Sequence, residues 1–179
     1  MARLITMIML GAALCANPVF ADQIEVDGVM IPIPYHSSFP DAQYPYAQAP
    51  NGCGPEGNES VIRDTYPGGV SFRAACNTHD VCYYTLGSNG NTCNDVFLQD
   101  LNRECRETFD LRSLDPRYNL CLSTAATMYA AVKALQNEYF GKAQNLQSNY
   151  VNYVAQVVAS AKTAAAFAQI APVLNLLLD

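Results

Sequence analysis

The sequence predicts a mostly α protein. Apolar residues recur at helical spacing in four stretches, Ser71–Gly87, Thr92–Thr108, Ser123–Phe140 and Lys142–Ile170. Six cysteines outside the N-terminal leader fall in the first two of these stretches, in the loop before them and just ahead of the third, as staples of a small fold would. Sustained β-type alternation is lacking, and IEVDGVMIPIPY around Asp27-Gly28 offers at most a short strand or hairpin.

The chain opens with a secretory leader. Arg3 supplies the charge, Leu4–Cys15 the apolar run, and Val19-Phe20-Ala21 a small-residue cleavage site, giving a signal peptide over 1–21. The expected destination is extracellular or periplasmic. The remaining chain carries nine basic and sixteen acidic residues, a net charge of −7, which argues against nucleic acid as a partner. An even set of cysteines, Cys53, Cys76, Cys82, Cys93, Cys105 and Cys121, implies three disulfides in that compartment, and the residues alone leave the pairing open. A zinc site would want CxxC pairs, and the chain has none.

Residues 22–50 hold five prolines and read as extended chain; His36 within them has no assigned role. Asn51–Ser60, NGCGPEGNES, has too much glycine for a regular element and forms a tight loop. Inward carbonyls of such a loop, joined by one carboxylate, make a hard oxygen cage suited to calcium. The first helix follows, with Gly87 as a C-cap. In the second, Asn94 shares the inward stripe with Leu98, Leu101 and Cys105, while Asp95 lies on the face of Gln99, Asn102 and Arg106. Thr92 and Asp95 also have the spacing of a capping box. Arg106–Asn119 reads as a charged loop. The third helix presents Met128, Val132, Leu135 and Tyr139 on one face and stops at Gly141; the fourth ends before Pro172. Polar residues recur too often in the fourth for a membrane span. Its apolar face is expected to pack across the core or to pair with a second copy of the chain.

The chemistry concentrates in CNTHDVCY. Cys76, His79 and Tyr83 fall on one helical face, and Asp80 sits about 100° round the same turn. A His-Asp step by itself is commonly a surface pair. Here cysteines bracket it and a glycine loop precedes it, so an imidazole and a carboxylate can be aimed into one cleft.

With CGPEGN in the loop and CNDVF opening the second helix, these residues resemble secreted phospholipase A2 over about Gly52–Lys133. CLSTAATMYAAVK is similar to the closing helix of the small bacterial and fungal members. The resemblance implies a core over 51–141 of disulfide-linked antiparallel helices with a calcium loop, and leaves 142–179 as an extra C-terminal helix. It implies the pairs Cys53–Cys76, Cys82–Cys93 and Cys105–Cys121. It implies that His79 is a general base, that Asp80 binds Ca2+ with the carbonyls of Gly52, Gly54 and either Glu56 or Gly57, and that phospholipid at a membrane or micelle surface is the substrate. Tyr83 matches a tyrosine that hydrogen-bonds the histidine's partner. That partner is usually an aspartate directly after the cysteine of the second helix; here it is Asn94, which orients the ring but stabilises an imidazolium less. An irregular first turn would bring Asp95 in instead. With so acidic a chain, zwitterionic bilayers or micelles are the expected interface, and Val173–Leu178 is a candidate for touching lipid.

Overall fold

The structure, a computed structural model, describes residues 20–26, 29–34, 36–42, 45–54, 63–66, 68–109 and 115–178. The leader up to residue 19, and Glu56 and Gly57 of the proposed calcium loop, lie outside them. In chain order come β1 (Phe20–Val26), β2 (Val29–Pro34), α1 (Arg73–Tyr84), α2 (Gly90–Phe109) and α3 (Pro116–Leu178). The fold is mostly helical and stapled by three disulfides. β1 and β2 form an antiparallel hairpin with Ile24 opposite Ile31.

α1 buries Ala75, Cys76, His79 and Tyr83, the face their spacing defines. Its C-cap is Thr85 rather than Gly87, which lies two residues further on with φ +78°. α2 is capped by Asn89, whose Oδ1 accepts the N–H groups of Asn91 (3.0 Å) and Thr92 (3.2 Å). The Thr92–Asp95 capping box is therefore not what starts this helix; Asp95 accepts the Tyr129 hydroxyl at 2.8 Å on an exposed face. Asp115-Pro116 starts α3. Asp115 Oδ1 accepts the Arg117 N–H at 2.8 Å, and proline occupies the first helical position.

α3 corrects the expectation of two helices. It runs 63 residues without a break at Gly141. Glycine costs a helix about 1 kcal/mol relative to alanine, and the packing of Phe140 and Ala143 against Tyr83 and Cys93 on either side of it outweighs that. The first part of α3 closes the core formed by Val70, Phe72, Ala75, Phe97, Leu101 and Phe109. The second part meets the N-terminal segment, where Tyr150 and Val154 bury against Ile31, Ile33, Phe39 and Ala47. The proline-rich segment is thus a docked layer, and the C-terminal helix is what it docks on. Gln147 fixes the contact by accepting the Ala47 N–H (2.7 Å) and donating to the Pro45 carbonyl. His36 is half-buried in this layer, its ring 4.5 Å from that of Tyr153.

Candidate functional site

α1 and α2 lie side by side because Cys82–Cys93 ties the end of one to the start of the other. Cys53–Cys76 ties the glycine loop to α1, and Cys105–Cys121 ties α2 to α3. His79 and Asn94 are brought together between them. His79 Nε2 stands 2.8 Å from Asn94 Oδ1, and the Tyr83 hydroxyl donates to the same oxygen at 2.9 Å. Asn94 is wholly buried. Its Nδ2 donates to Gln136 Oε1 on α3 at 2.7 Å. An amide oxygen only accepts, so the ring hydrogen is on Nε2 and the lone pair on Nδ1. Asp95, on the exposed face, takes no part.

The ring of His79 is packed 4.2 Å from Tyr83 and 4.6 Å from Phe97, centroid to centroid. Burial lowers its pKa from the ordinary 6.5, and the bond to Asn94 opposes that shift. Burial also raises the pKa of Tyr83, so its hydroxyl stays a donor.

The loop lies against the same helix. Gly52 and Gly54 have φ of +96° and +101°, which side-chain-bearing residues rarely adopt. At Gly52 a Cβ would also stand 2.5 Å from Asp64 Oδ1. Asn77 Oδ1 accepts the Gly52 N–H at 2.9 Å, and Asp64 Oδ1 accepts the Cys53 N–H at 2.8 Å. Arg73 in turn holds the other Asp64 oxygen at 2.6 Å. The N–H groups of Gly52 and Cys53 are thus engaged by side chains, which leaves the carbonyls of Gly52 and Gly54 to serve as ligands.

Asp80 is half-buried beside this loop. Burial pushes its pKa up from 3.8 to about 7, against the bond from the Asn51 backbone N–H. A desolvated carboxylate next to glycine carbonyls fits a hard divalent cation, which would relieve the cost of its charge. Among the described residues no three His, Cys, Asp or Glu side chains cluster, so a cation here would draw chiefly on backbone oxygens.

His79, Asp80, Gly52 and Gly54 open onto one cavity of about 640 Å³. Its apolar wall includes Phe97 and the face Met128, Val132, Leu135 and Tyr139 of α3. Ala143 and Leu146 extend that wall past Gly141, and Lys142 lies at its edge. Sequence reasoning missed Gln136, Asp64 and Asn77. Gln136 left a signal: it lies four residues after Val132, a polar residue within an apolar stripe.

No helix among the described residues is long and apolar enough to cross a membrane. No family model matches the chain, and no solved structure does. Among curated proteins, the group XIIA secretory phospholipases A2 of Mus musculus and Homo sapiens are each 30% identical over 96 residues, 53% of this chain. The chain spans about half the length of these relatives, 48% and 49%. They are not of the small bacterial or fungal type that the third helix suggested. The similarity supports a relationship between this chain and the secreted phospholipases A2.

Proposed function

We propose that the protein is a secreted, calcium-dependent phospholipase A2 that hydrolyses the sn-2 ester of glycerophospholipids to a lysophospholipid and a fatty acid. The observation that carries this reading is the buried His79 with Nε2 bound to Asn94, adjacent to a half-buried Asp80 and the glycine loop at one apolar-walled cavity. His79 Nδ1 takes a proton from the water that attacks the ester carbonyl. Asn94 and Tyr83 hold the ring while it carries that proton. The α3 face receives the acyl chain and excludes bulk water. The Asp80 carboxylate and the carbonyls of Gly52, Gly54 and either Glu56 or Gly57 would hold Ca2+, which when bound supplies positive charge for the substrate phosphate and the oxyanion.

The test is fatty-acid release from phosphatidylcholine micelles with calcium and with chelator. Calcium-dependent release of the sn-2 chain, lost in His79→Gln, is the expected result. Asn94, where the resembling family places an aspartate, favours a second reading, a non-catalytic binding or membrane-perturbing protein. No release by a folded, calcium-binding protein would select it.

A further inference from the structure

Asn94 raises a question that an aspartate would not. A carboxylate offers an acceptor whichever way it turns, but an amide presents an acceptor on one side and a donor on the other. Turned over, Asn94 would point Nδ2 at His79. The ring would then accept at Nε2 and carry its hydrogen on Nδ1, the atom that must receive the proton. Something has to choose between the two orientations.

Gln136 makes the choice. Its Oε1 accepts from Asn94 Nδ2 at 2.7 Å, so the amide nitrogen is committed to α3 and the oxygen to His79 and Tyr83. A Cβ at Gly90 would stand 3.1 Å from Gln136 Nε2, so the glutamine's nitrogen faces the start of α2 while its oxygen faces Asn94. We infer that Gln136 is a positioning residue that fixes the Asn94 amide and, through it, the Nε2–H form of His79. This rests on the reading of His79 as the base, and it shows how an asparagine serves where a carboxylate would orient itself.

The test replaces the acceptor with groups of other polarity in the full, disulfide-bonded chain. In the wild type at pH 8, two-bond ¹H–¹⁵N correlation spectra should report His79 with hydrogen on Nε2. Gln136→Glu keeps an acceptor and should keep that tautomer and kcat within about threefold. Gln136→Lys offers a donor, turns the amide over and should move the hydrogen to Nδ1. Its kcat on phosphatidylcholine micelles should fall by at least about a hundredfold, the scale of a base in the wrong tautomer, with KM little changed. The double variant Asn94→Asp, Gln136→Lys restores an acceptor for His79 and pairs the lysine with the new carboxylate. It should recover the Nε2–H form and most of kcat, and it keeps the test open if the single variant folds poorly. A Gln136→Lys protein that keeps hydrogen on Nε2, or a double variant that folds but still carries it on Nδ1, overturns the inference. The tautomer is read without substrate. An inactive wild type with the expected tautomer pattern would therefore count against the phospholipase reading and not against the role of Gln136.

Discussion

His79 and Asp80 are adjacent, and burial shifts them in opposite directions. The lowered pKa of His79 means that the folded protein binds its proton more weakly than the unfolded chain does. Its contribution to stability is present above about pH 6.5 and is lost as pH falls below that value. The acid limb of activity should accordingly lie below 6.5, checked by kcat/KM against pH in saturating calcium. Asp80 behaves the other way. Its raised pKa makes the calcium-free fold most favoured below about pH 4, with stability lost as pH rises through about 7. Asp80→Asn should thus stabilise the calcium-free protein at pH 8, by on the order of 1–4 kcal/mol. The same change should abolish the rise in melting temperature that calcium gives the wild type. Thermal denaturation of both proteins with and without chelator checks both statements. At Asn94 the expectation is a gain: Asn94→Asp supplies an anion to the imidazolium and should raise kcat about tenfold or more, provided the substituted protein keeps its three disulfides.

At the scale of elements, α3 has work along its whole length. Gln144 donates to the carbonyls of Tyr83 (2.6 Å) and Thr85 (3.0 Å), groups that the end of α1 leaves without helical partners. Truncation after Phe140 removes this cap, Ala143 and Leu146 of the cavity wall, and the cover of Ile31, Ile33 and Phe39. The truncated protein should bind an apolar dye, lose solubility and lose most of its activity; a soluble product of equal melting temperature would contradict this. A subtler probe is Tyr150→Ala, which empties a fully buried aromatic site and should cost about 3–5 kcal/mol in denaturant unfolding. The elements were legible to different depths. Asn94 was placed inward by its period with Leu101 and Cys105, and all three are buried. α1 was legible because Cys76, His79 and Tyr83 share a single face, and all three are buried. Gly141 misled because a local propensity of about 1 kcal/mol yields to the tertiary contacts of its neighbours. Gln144 and Gln147 join segments far apart in the chain, and the sequence carries no local signal of that. His36 likewise read as a surface residue because its partner Tyr153 lies far along the chain.

Across the whole molecule, two apolar clusters share one helix. The first holds the disulfide-linked core and the floor of the site, the second joins the hairpin segment to the far part of α3. Between them Tyr83, Cys93 and Ala143 form a small junction that touches the His79–Asn94 pair through Tyr83. Complete reduction should melt the first cluster and with it the site, since Cys53–Cys76 and Cys82–Cys93 hold the turns next to His79 and Asn94 and Cys105–Cys121 holds α2 to α3. Calcium should slow that reduction at Cys53–Cys76 more than at Cys105–Cys121, measured by thiol alkylation at intervals.

The Gln147 clamp has a kinetic consequence. It joins residues 100 apart in sequence, whereas the three bridges span 23, 11 and 16. Closing the longer loop costs more chain entropy, and no covalent bond holds it shut. The docked segments 36–42 and 45–47 should therefore fold last and open first. Their amides should exchange with solvent by partial openings that leave α1 and α2 intact. Since residue 47 leads within a few positions into Asn51 and Gly52, each such opening also frees one wall of the cavity. On the phospholipase reading proposed above, breathing of the N-terminal layer would then set how fast a long-chain product escapes.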